Sequence, residues 1–171
     1  MAQNSLPPPV VQPRYVDEHQ AIGVIGSLVI MMLHHPPSAA LIQETYSVLD
    51  RLASRSPSGG ALLLVIAEDT PPMAEQDYKQ LSDILRTRKL CCAAIVIEGS
   101  GFAAAGQRAA AATIGLAARG AFPVHTFGDI EASAEWLQRE LGKREHELVA
   151  EAITHAAFVL SYRAKRESIP G

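Results

Sequence analysis

Three stretches of this chain are apolar at every residue: 28–33 (LVIMML), 61–67 (ALLLVIA) and 92–97 (CAAIVI). A strand with one wet face alternates apolar and polar residues, because successive side chains point to opposite sides. Short runs with no polar face read as strands covered on both faces, the place of central strands in a parallel or mixed α/β sheet. Each run is followed by a segment of helical character, which is the order that builds parallel strands through crossovers.

The flanking residues sharpen this reading. His34-His35-Pro36-Pro37 stops the first run, and Ser38 is placed to cap a helix over 39–54, with Leu41, Thr45, Val48 and Leu52 on one face and Ile42 and Leu49 beside them. Glu68-Asp69 ends the second run. Thr70 before Pro71 has the form of an N-cap with proline at the first helical position, predicting a helix from there to about Arg88. Gly99-Ser100-Gly101 turns into an Ala-rich helix that ends near Arg119-Gly120. Residues 123–127 form a short strand, and Gly128-Asp129 opens a helix with Ile130, Ala134, Leu137 and Leu141 inward and Trp136 beside them. Ahead of the first run, Gly26-Ser27 between two apolar segments signals a hairpin, which adds a strand over 19–25. The expected fold is α/β: a mixed sheet of about five strands, an N-terminal hairpin followed by parallel strands with right-handed helical crossovers. Residues 1–14, with Pro7, Pro8, Pro9 and Pro13, read as an extended proline-rich arm, and 143–166 as an additional C-terminal amphipathic helix.

At 171 residues there is room for one core plus tails, and 48% apolar against 19% charged residues is a globular balance. A net charge of −3 and 5% aromatics give no footprint for nucleic acid. Residues 102–118 are Ala-rich but too short and too weakly apolar to span a bilayer, with Gln107 and Arg108 inside them. The first residues have no positive charge and no long apolar stretch, so no signal peptide is expected there. Cys91 and Cys92 are adjacent; neighbouring residues in a strand point to opposite faces, and a bridge between them is strained. They read as free thiols of a reducing compartment, hence a cytoplasmic location.

The order of elements resembles the STAS or SpoIIAA-like (anti-sigma-factor-antagonist) family over residues 15–141. The opening hairpin, the apolar strand 61–67 and the closing block Phe122-Pro123-Val124-His125-Thr126-Phe127, then Asp129-Ile130-Glu131-Ala132 and Trp136-Leu137, carry the likeness. That ending is common in STAS-like proteins of bacteria. The resemblance implies a non-enzymatic regulatory or scaffolding module that needs no cofactor and acts by binding another protein or a second copy of itself. Kinase-regulated members carry an Asp-Ser-Ser/Thr-Gly-type motif after the third strand. Here that place reads Glu68-Asp69-Thr70-Pro71-Pro72, so Thr70 is the equivalent position without the motif around it, and poor phosphorylation is expected.

The remaining candidates are weaker. His34-His35 has no third ligand at a recognisable spacing. A Ser100/His125/Asp129 triad is geometrically open but has no nucleophile elbow. A cavity lined by Met31, Met32 and Phe102 would make the chain a carrier or sensor of a small apolar ligand, the alternative function. Gly106, Ala110, Ala111, Ala112 and Gly115 allow close backbone approach, either to the chain's own sheet or to a second subunit. Leu148, Ala152, Ile153, Ala156, Val159 and Leu160 form an apolar stripe beyond the family core, which favours docking on a second chain.

Overall fold

The computed structural model describes residues 9–87, 90–118, 120–142 and 144–167. Arg88, Arg119 and Lys143, where three expected helix ends fall, and residues 1–8 of the arm lie outside the described residues. The elements in order are β1 (Gln12–Val16), β2 (Gln20–Ile25), β3 (Leu28–Leu33), α1 (Ala39–Arg55), β4 (Gly60–Ile66), α2 (Glu75–Thr87), β5 (Leu90–Ile97), α3 (Phe102–Ala117), β6 (Val124–Phe127), α4 (Ile130–Leu141) and α5 (Ala150–Glu167).

The strands form one six-stranded mixed sheet in sequence order, β1 to β6. β2 runs antiparallel to both its neighbours, β1 and β3, and β3 to β6 run parallel. Successive right-handed crossovers that always step the same way along a sheet place their helices on one face. Accordingly α1, α2 and α3 pack on one side, around Val29, Leu64 and Ile95. The opposite side, around Ile30, Leu63 and Val96, would be bare without another layer, and α4 and α5 cover it. Hence the central strands have no polar face: every residue of β3 and β4 is buried.

The hairpin stands where the sequence places it. Gly26 holds the left-handed φ of +57° that the first residue of such a turn needs. The Glu145 carboxylate accepts from the Ser27 amide at 3.2 Å, tying this turn to the connection before α5.

Four expectations are corrected. The arm does not extend through residue 14, because Gln12, Pro13 and Arg14 belong to β1, a sixth strand. Proline hides a strand from pattern reading, yet it is tolerated on a sheet edge, which is where β1 lies. The second helix starts at Glu75 rather than at Thr70. Pro72 disfavours helical backbone at Pro71, so the chain must first pass through an extended stretch. The last helix starts at Ala150, whose amide is capped by Gln138 Oε1 of α4 at 2.7 Å. Cys91 and Cys92 do not diverge to opposite faces, since the β4–β5 register shifts between Gly60 and Ala61.

Candidate functional site

In parallel α/β sheets ligands and reactive groups gather beyond the carboxyl ends of the strands, where loops and helix ends converge. Here that edge carries a chain of hydrogen-bonding groups. His34, just past β3, is buried, with Nδ1 2.7 Å from Asp69 Oδ1 and Nε2 3.0 Å from the Ser161 hydroxyl of α5. Lys165 Nζ lies 3.8 Å from the other Asp69 oxygen. Burial raises the Asp69 carboxyl, but the bond to His34 and the nearby positive charges outweigh it and hold the group below the usual range. Glu98, at the end of β5, is pushed up by burial.

Ser161, His34 and Asp69 have the connectivity of a nucleophile, base and orienting acid. Ser161, however, sits within α5, where amides are committed to carbonyls one turn back. Its own element therefore offers no backbone donors to an oxyanion. What the network does is tie α5 and the β4–α2 loop to the end of β3. The sequence offered no spacing signal for it, because its bonds span 35 and 127 positions. His34 is thus buried at the strand end, whereas the neighbouring His35 is exposed and stacks on His19 with ring centroids 5.1 Å apart.

Thr70 is at the same edge, though not at a helix N-terminus. Its buried hydroxyl donates to the Leu33 carbonyl at 2.8 Å, and its carbonyl accepts from Gln107 of α3 at 3.4 Å. The residues of the other proposed triad have different engagements. Asp129 caps α4 through the Ala132 amide, and His125 stacks on Trp136 with centroids 4.9 Å apart. Met31, Met32 and Phe102 do not line a common cavity: the two methionines belong to opposite layers of the core, and Phe102 is 97% exposed. Among the described residues no group of three or more His, Cys, Asp or Glu side chains could hold a metal ion. No helix among them is long and apolar enough to cross a membrane.

The stripe assigned to a second chain is occupied within its own. Leu148, Ile153, Ala156 and Leu160 are buried among the side chains of β1–β3 and α4, with Ala152 and Val159 packed against them. The expectation failed because the core is not complete at Leu141: the crossovers leave one sheet face open, and α5 closes half of it.

Phe158 and Tyr162 of α5 are exposed, and a longer apolar surface faces outward on α3. Phe102, Ala105, Ala109, Ala112 and Leu116 recur at helical spacing and are exposed, as is Gly106. The one charge in α3, Arg108, folds back to the Gly99 carbonyl at 2.6 Å and leaves this face uncharged. Of the small residues noted in the sequence, Ala111 is buried, Ala110 and Gly115 are half-buried, and Gly106 and Ala112 are exposed. A groove of about 820 Å³ runs between α5 and β1, lined by Val16, His155, Phe158, Tyr162, Arg163 and Arg166 together with Val159. Comparison with protein families, curated proteins and solved structures returns no match.

Proposed function

We propose that this chain is a non-enzymatic regulatory or scaffolding module of the STAS or SpoIIAA-like kind, and that it works by binding protein through the outer face of α3. The observation that carries this reading is Phe102, a large aromatic 97% exposed at the head of a helix face that shows no charge to solvent. Leaving such groups in water forgoes about 1.5–3 kcal/mol for each large side chain that a partner could cover, and contiguous exposed apolar patches mark interaction sites. A second copy fits the face simply. Phe102 and Leu116 flank a centre of small residues, so two antiparallel α3 helices crossing at Ala109 would set the Phe102 of each copy against the Leu116 of the other. The order of strands, hairpin first and parallel strands after, supports the family reading.

Equilibrium sedimentation of the full chain and of the Phe102→Glu/Leu116→Glu double variant tests the proposal. The wild type is expected to self-associate reversibly, and the variant to remain folded but monomeric, because two carboxylates would be buried in the contact. A wild type that stays monomeric at all concentrations, or an association that the double variant leaves intact, overturns the assignment to this face.

A further inference from the structure

Cys91 and Cys92 open β5 at the amino end of the parallel strands. Gly60 pairs with Leu90 and Ala61 with Cys92, which leaves Cys91 as an extra, unpaired residue. A bulge of this kind redirects the side chain it carries. Here it turns Cys91 to the layer that holds Cys92: Cys92 lies in the core on the α4 side of the sheet, Cys91 packs against that core, and their sulfurs are 3.9 Å apart. Both are free thiols, Cys92 buried and Cys91 partly exposed. The hydrogen bond between the sulfurs, with Arg144 nearby, lowers the Cys91 thiol to about 7 although burial opposes the change. The same bond and burial push the Cys92 thiol up. The reachable sulfur is thus the one that ionises, and a protonated thiol lies directly behind it.

We propose that Cys91 and Cys92 form an oxidisable dithiol that a hydroperoxide converts to a disulfide between neighbouring residues. The Cys91 thiolate attacks one peroxide oxygen. The O–O bond breaks, the leaving alkoxide or hydroxide takes up a proton, and Cys91 becomes a sulfenic acid. The Cys92 sulfur then displaces the hydroxyl: the S–S bond forms, and water leaves with the Cys92 proton. Two thiols are oxidised, and one hydroperoxide is reduced to an alcohol or to water. The sulfurs must close to roughly 2.05 Å, and the bulge, where the strand is already irregular, is the place that can give. This site is separate from the α3 face and stands whether or not that face binds protein.

The test is to treat the full chain with hydrogen peroxide at neutral pH, with dimedone as the sulfenic-acid trap, and to read intact mass. The wild type is expected to lose two hydrogens, to acquire no dimedone, and to recover its mass with dithiothreitol. Cys91→Ser is expected to resist oxidation, and Cys92→Ser to accumulate a dimedone adduct on Cys91. Cys92→Ala replaces the latter variant should serine in the core prevent folding. A wild type that keeps its mass, that only gains oxygen, or that forms only disulfide-linked dimers overturns the proposal, as does a Cys91→Ser variant oxidised as fast as wild type.

Discussion

His34 shows how one residue can hold distant parts of a chain together. It is buried, and both ring nitrogens are engaged, one with Asp69 and one with Ser161. Replacing it with alanine removes both bonds and leaves a space at the sheet edge. His34→Ala is therefore expected to lower stability by about 1–3 kcal/mol, and Ser161→Ala by about 1 kcal/mol. Urea unfolding monitored by circular dichroism measures both. Equal, negligible effects would show that the network carries no stability. Glycine acts at the same scale in the opposite way, by what it leaves out. A Cβ on Gly23 of β2 would come within 2.9 Å of both Leu160 and Val11, so the bare backbone is what lets α5 seat on the sheet.

Among the elements, α5 is the one whose role changed between sequence and structure. Its stripe is as apolar as an interface stripe, and periodicity alone cannot tell a helix that covers its own sheet from one that waits for a partner. Its partners settle the matter: Leu160, Ala156 and Ile153 lie over β1–β3, and the helix start is pinned by Gln138 of α4. A truncation ending at Gly142 would expose Ala21, Ile30 and Met32, all buried in the intact chain. The expected outcome is loss of a cooperative thermal transition and poor solubility, whatever the assembly state. A truncated chain that stays soluble and melts in one sharp step would show that α5 is dispensable to the core. The exposed face of α3 behaves differently, because substitutions there touch no core neighbour and should leave the melting transition close to wild type.

For the molecule as a whole, two carboxylates set the response to acid. Burial raises Asp17, but the His19 and Gln20 amides, the Tyr15 hydroxyl and the Gln20 side chain all donate to it and hold it below the usual range. Asp69 is likewise held low through His34 and Lys165. A carboxyl lowered in the folded state binds fewer protons there than in the unfolded chain. Its contribution is complete above the unfolded value, about 3.9, and is lost as the pH falls through the lower folded value. Glu98, pushed up by burial, has the opposite sign: its charge opposes folding above its raised value, so Glu98→Gln should stabilise the chain at neutral pH. Urea midpoints measured from neutral pH downward should fall steeply only below about pH 4, and Asp17→Asn should flatten that fall. A wild-type midpoint that declines evenly from neutral pH would contradict this assignment.

The apolar runs, the Gly26-Ser27 turn, the Ser38 and Asp129 caps and the helical stripes were all legible along the chain, because each depends on neighbours within a few residues. They determined an α/β sheet with a hairpin followed by parallel strands. Four matters were decided only in the tertiary structure. Which face each crossover covers depends on the direction in which the sheet grows, and that direction left one face for α5 to close. Whether an apolar helix face is buried or bare depends on what lies opposite, and this put the α5 stripe inside the core and left a face of α3 bare. Which polar groups meet depends on chain segments far apart in sequence, and so His34, Asp69 and Ser161 came together although no spacing announced them. Cys91 and Cys92, adjacent in sequence, share one face only because β4 and β5 pair out of step. Local chemistry fixes the elements, while closure of the sheet fixes which surfaces remain for function.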